Sequence, residues 1–152
     1  MRVPEDWIEK GGLDPSSADA KRASLAAHFA GWSENLLELI YRSGDRITPR
    51  TIQALPVGHR WEHRPGITLL GDAAHLMSPF GGNGANLAML DAADLALALT
   101  KSEDWRTAIQ AYEVTMLARA EEAAAAASDA VDSVFSEDAL AHTLQAMESQ
   151  RG

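Results

Sequence analysis

The 152 residues carry 22 acidic against 13 basic side chains, a formal net charge of -9, with 46% apolar residues and no cysteine. The apolar share suits one globular domain or part of a larger one and excludes global disorder. The acidic balance lacks the basic footprint that nucleic acid needs, and a chain without cysteine has no disulfide, thiolate zinc site or thiol nucleophile.

Alanine supplies much of the apolar count, which favours helices. No apolar run is long and uncharged enough to span a bilayer. MRVPEDWIEKGGLD has no apolar core of a secretory signal. A cytoplasmic protein is expected, with neither membrane nor nucleic acid as partner.

In chain order, Gly11, Gly12, Asp14 and Pro15 form polar turn material. Ser16 or Ser17 then caps a helix from Ala18 to His28, with a thin apolar stripe at Ala18, Leu25 and Phe29. Ser33 starts a second helix with Glu34 in its first turn. Leu36, Leu37, Leu39 and Ile40 are its expected buried face, and Ser43 with Gly44 ends it. The stretch RITPRTIQALPVGHRW, with β-branched residues and two prolines, reads as an extended edge-type strand. Pro65-Gly66 is a turn signal. Ile67 to Leu70 is a short apolar run, as in a strand buried on both faces of a parallel sheet. Such a strand needs neighbours for its backbone groups, and only one other convincing strand is on offer.

The glycines Gly71, Gly81, Gly82 and Gly84 follow, in GDAAHLMSPFGGNGAN. A helix is then expected from Asn86 to Thr100, broken at Lys101-Ser102. Asp104 caps a long helix with apolar positions at Ile109, Tyr112, Met116, Ala120, Ala123, Ala127, Val131 and Val134. Its run of alanines at 123–127 allows close approach of another element. Ser136, Glu137 and Asp138 start a last helix that reaches Ser149.

Strand, Gly-Asp, glycine-rich turn and helix together suit an anionic or electron-rich ligand. The first N–H groups of a helix point outward and its dipole favours negative charge there. Glycines let backbone approach a ligand closely, and Asp72 is placed to accept hydrogen bonds from sugar or polyol hydroxyls. Gly82, Gly84 and Leu87 do not complete G-x-G-x-x-G, and no ATP-type phosphate loop is present. The bland alternative is a tight strand-to-helix turn with a helix cap at Asn83 or Asn86.

The run ITLLGDAAHLMSPFGGNGANLAMLDAADLALAL resembles the second flavin-binding motif of FAD-dependent aromatic-ring hydroxylases with the para-hydroxybenzoate hydroxylase fold. PEDWIEKGGLD, FAGWSENLLELI, IQALPVGHRW and YEVTMLARAEEA are similar, more weakly, to the C-terminal part of tetracycline-inactivating flavin monooxygenases. The resemblance implies that Gly71 and Asp72 bind FAD, the Asp72 carboxylate taking the ribityl chain. It implies that Pro79 lies beside the isoalloxazine ring, and that backbone N–H groups around Gly82, Gly84, Ala85 and Asn86 face its N1–C2=O edge. It further implies a flavin C4a-hydroperoxide that hydroxylates an aromatic or polyketide-like small molecule, with NAD(P)H as reductant. Ser78 and Asn83 stand where the family often has proline and glutamine. The family's N-terminal G-x-G-x-x-G unit has no counterpart here.

The implied fold is therefore mainly α with a few short strands, the C-terminal fragment of an α/β, Rossmann-like FAD-binding monooxygenase fold ending in a long helix. Residues 1–57 would be a remnant of the substrate domain and connecting region. Residues 58–103 would be the C-terminal part of the FAD-binding domain, and 104–152 a helical region. The expected partner is the N-terminal half of the same enzyme, whether the chain is an excised piece, a truncated product or a split subunit. A different class of reading is a stand-alone helical module that self-associates, as a homodimer for example.

Among the remaining candidates, His75 reads as structural rather than catalytic. His59 and His63 lack both a helix and a third metal ligand. Ser78 lacks the context of a nucleophile. Asp91 and Asp94 resemble the family's D-A-x-x-L signature and read equally as solvated or capping carboxylates. The acidic residues of EEAAAAASDAVDSVFSED read as a solvated helix face.

Overall fold

The computed structural model describes residues 3–136 and 138–149, without the side chains at positions 142, 146 and 149. It divides into two compact units, Met1–Thr51 and Ile52–Gly152.

The first unit holds a wide helical turn at Ile8–Gly12 and helices α1 (Ala18–Ala27) and α2 (Glu34–Tyr41). Ser17 caps α1 as its sequence suggests, its Oγ accepting from the Ala20 N–H at 3.0 Å. Leu13 and Ala26 are buried. The two helices are tied at one end by Arg22. Its guanidinium donates to the Ser43 carbonyl at 2.8 Å, and bonds Asp19 at 2.7 Å and Asp45 at 2.5 Å. The expected buried face of α2 is only partly buried. Leu36 and Leu39 are exposed, Leu39 at 71%, while Leu37 and Ile40 are half-buried. A helix of 8 residues against a single neighbour covers one narrow stripe, so its flanking leucines stay outside.

The second unit is built from α3 (Asp72–His75), α4 (Gly84–Lys101), α5 (Trp105–Val134) and α6 (Ala139–Ser149), with a short tight turn at Pro79–Gly81 between α3 and α4. Asp104 caps α5 as expected, accepting from the Arg106 N–H at 3.1 Å and from the Thr107 hydroxyl at 2.5 Å. The predicted α5 stripe is the core. Ile109, Tyr112, Met116, Ala120 and Ala127 are buried. Tyr112, Met116 and Ala120 cluster with Ala74, ringed by Trp61, Leu69, Leu95, Ala98 and Leu117. Burying a side chain such as Met116 stabilises the fold by roughly 1.5–3 kcal/mol. The stripe frays towards its end, where Val134 is 46% exposed. The alanine run does admit a neighbour. A Cβ on Gly81 would sit 2.9 Å from the Ala127 Cβ, so the Pro79–Gly81 turn lies directly on α5. The last helix begins at Ala139; Glu137, expected at its start, lies outside the described residues.

The strands are where the structure departs from expectation. Among the described residues neither 46–61 nor 67–70 forms a strand, and the pairing there is an isolated antiparallel bridge between Arg64 and Ile67. That bridge closes the expected turn at Pro65-Gly66, where Gly66 has φ +85°. Ile67 and Leu70 are exposed, at 62% and 38%, rather than buried on both faces. A strand needs a neighbouring strand for its N–H and C=O groups. The 67–71 segment is held instead by helix side chains.

Candidate functional site

That holding begins at α5. The buried Glu113 carboxylate accepts from Thr68 Oγ1 at 2.8 Å and pairs with His63 Nδ1 at 2.7 Å. The Tyr112 hydroxyl donates to the Leu69 carbonyl at 3.2 Å. Burial, then the nearby Asp91 charge, push the Tyr112 phenol up to about 12, so it stays a neutral donor at ordinary pH. His63 is thus taken by Glu113, in a loop rather than on a helix.

Gly71 follows, with φ +58° and ψ -143°, a conformation that side-chain-bearing residues avoid. It is buried against Ala88 on α4, whose Cβ would lie 3.0 Å from a Cβ at Gly71. Its N–H donates to Asp91 Oδ2 at 3.0 Å. Asp72 opens α3 and is exposed. Three residues on, His75 is buried and bonds the same Asp91 oxygen through Nε2 at 2.5 Å. From α5, Arg119 donates to Asp91 Oδ1 and to Asp94 Oδ2, each at 2.9 Å.

Asp91 is therefore neither a solvated nor a capping carboxylate. It is 0% exposed and carries four-way traffic between loop, α3, α4 and α5. Burial pushes its carboxyl up. The Gly71 N–H, His75 and Arg119 outweigh that and hold it below the ordinary value of 3.8. His75 is buried and bonded to Asp91. The signal for Asp91 was present in its register. It falls on the apolar side of α4 with Leu87, Ala88, Leu95 and Ala98, where a lone carboxylate is buried only if paired.

The remaining site residues lie on the approach to α4. Ser78 Oγ accepts from the Phe80 N–H at 3.3 Å and so caps the turn that carries Pro79, which is exposed. Gly82 has φ +68°. Open space surrounds the positions where Gly82 and Gly84 would carry a Cβ. Asn83 precedes α4 but makes no capping bond with its side chain. The helix ladder begins with the Leu87 N–H donating to the Asn83 carbonyl at 2.9 Å. The N–H groups of Gly84, Ala85 and Asn86 precede that ladder. Gly71, the residue before Asp72, sits on Ala88 in the second turn of α4. The site is an exposed carboxylate, a glycine turn open to solvent and a set of outward N–H donors, on a buried ionic base.

The chain belongs to the FAD binding domain family, whose pattern matches residues 44–128. It is 33% identical over 144 residues to the monooxygenase asqM of Emericella nidulans, covering 79% of this chain and 32% of that protein. It is 42% identical over 117 residues to the phenazine 1,6-dicarboxylic acid hydroxylase PhzS of Lysobacter antibioticus, covering 73% of this chain and 27% of that protein. An HpxO variant of Klebsiella pneumoniae, crystallised with FAD, has the same fold over 100% of this chain and 38% of its own, with TM-score 0.74 and 25% identity. The chain is thus similar to proteins named as a monooxygenase and a hydroxylase. It spans about a third or less of the length of these curated relatives. No described helix is long and apolar enough to cross a membrane.

Proposed function

We propose that these residues are the C-terminal portion of an FAD-dependent monooxygenase that hydroxylates an aromatic or polyketide-like small molecule, with NAD(P)H as reductant. The observation that carries this reading is an exposed Asp72, next to a Gly71 packed on Ala88 of α4, together with open glycine positions at 82 and 84 before and at the start of that helix. The donor set fits FAD. Asp72 would accept from the ribityl hydroxyls, and Pro79 would lie along the ring. The N–H groups of Gly84, Ala85 and Asn86, with the backbone at Gly82, would face its electron-rich edge, where the α4 dipole favours negative charge. FAD bound here supplies the redox and oxygen-activating chemistry, and the protein binds, orients and shields it.

Residues 1–152 contain no G-x-G-x-x-G turn for the pyrophosphate. On this reading they bind FAD weakly or not at all by themselves, and are inactive without an N-terminal half. A polyketide-like ring, as in tetracycline-inactivating enzymes, is one substrate of the proposed class.

The test is an FAD titration followed by flavin fluorescence and the visible spectrum, with this chain alone and with a chain carrying the N-terminal half. Tight binding and a perturbed spectrum only in the second case support the reading. Hydroxylation by this chain alone removes the dependence on the other half. Absence of flavin binding in both cases sinks the flavin assignment.

A second reading, a helical module that self-associates, draws on the exposed apolar residues Met89, Leu97 and Val114 of α4 and α5. Sedimentation separates the two, because a monomer across a wide concentration range excludes the module.

A further inference from the structure

We infer that Asp91 is the positioning residue that aims Asp72 at the flavin, by gripping the Gly71–His75 turn from inside; the inference rests on the flavin reading above. Asp72 is exposed, so its direction is set by the backbone around it. One oxygen of Asp91 holds that turn at both ends, through the backbone at Gly71 and through the side chain at His75. Oδ2 accepts from the Gly71 N–H at 3.0 Å, immediately before Asp72, and from His75 Nε2 at 2.5 Å, where the turn closes. The other oxygen is fixed by Arg119 at 2.9 Å, and Arg119 in turn by Asp94 at 2.9 Å.

Two further observations make Asp91 the controlling group. Gly71 has φ +58°, and the Ala88 Cβ closes the space beside it, so the turn has one narrow conformation to hold. His75 is buried, and its Nδ1 has no hydrogen-bond partner among the described residues. Asp91 is thus the polar contact that orients the ring, through Nε2. A carboxylate with no exposure cannot itself meet a ligand, so it acts through Gly71 and His75.

The experiment compares the wild-type chain with Asp91→Asn, Arg119→Lys and Tyr112→Phe, the last removing a bond to the Leu69 carbonyl nearby. Amide hydrogen exchange is read at Gly71 and at the α4 and α5 cores without FAD, and flavin affinity is read separately. In D91N, exchange at Gly71 should rise about tenfold or more beyond any rise in the helix cores. R119K should give a smaller rise at the same amide. Y112F should lower stability without a selective change at Gly71. If D91N does not fold, R119K decides by the same comparison. Unchanged protection at Gly71, or a uniform rise throughout, overturns the role.

Where the wild type binds FAD, a folded D91N should bind it about tenfold or more weakly. Equal binding by D91N overturns the positioning role while leaving the flavin reading intact. Where the wild type binds no FAD, the exchange result alone decides the grip of Asp91 on the turn.

Discussion

Asp72 and Asp91 carry the same carboxylate in opposite surroundings. Asp72 lies at the surface. Asp72→Ala should lower flavin affinity by about tenfold or more, the size of one or two charge-assisted hydrogen bonds, with little change in Tm. Fluorescence titration of the flavin-competent protein beside a thermal melt checks both halves of that statement.

Asp91 is stabilised in its charged form, with its folded carboxyl below 3.8. Its contribution to stability is therefore present above the unfolded value and is lost as pH falls through the lower folded one. Urea unfolding across an acid series should show this loss in the wild type. In Asp91→Asn the corresponding part of the slope should be missing, on a lower baseline. Gly71→Ala should cost roughly 1–3 kcal/mol by the same unfolding assay, because alanine meets both the positive φ and the Ala88 Cβ.

At the scale of elements, α5 is the backbone of the second unit. Its buried stripe packs α4 and α3, and its polar residues Glu113, Arg119 and Tyr112 reach the 67–71 segment and Asp91. Met116→Ala should lower stability by about 2–5 kcal/mol, as for a large side chain deleted from a packed core, measured by denaturant unfolding. Asp104→Ala should shift Tm down by a few degrees, since it leaves the first turn of α5 without its cap. The helices were legible because their signals are local. Ser17, Asp104 and the three-and-four spacing of Ile109, Tyr112, Met116 and Ala120 act within one or two turns. The 67–70 strand was not, because a strand is completed by a neighbour. Here the Arg64–Ile67 bridge and two side chains from α5, Tyr112 and Glu113, take that place.

At the scale of the whole molecule, the segment 67–70 exposes Ile67 and Leu70. On the proposed function those side chains belong against the N-terminal half. Supplying that half should suppress any self-association of this chain and raise flavin affinity together, a joint change readable by sedimentation and flavin fluorescence. Self-association that persists unchanged in its presence counts against that assignment.

The sequence by itself determined the longer helices, the caps at Ser17 and Asp104, the run of glycines that follows Asp72, and membership of a flavin-binding lineage through the run from Ile67 to Leu99. Each of these depends on residues close together in the chain. Only the tertiary structure decided what Asp91 does. Its three donors come from Gly71, His75 and Arg119, on separate elements, and no local pattern ties them together. The same is true of Glu113, which bonds His63 and Thr68 across a long stretch of chain. A buried charge is placed by the partners that offset its desolvation, and those partners are chosen by packing rather than by spacing.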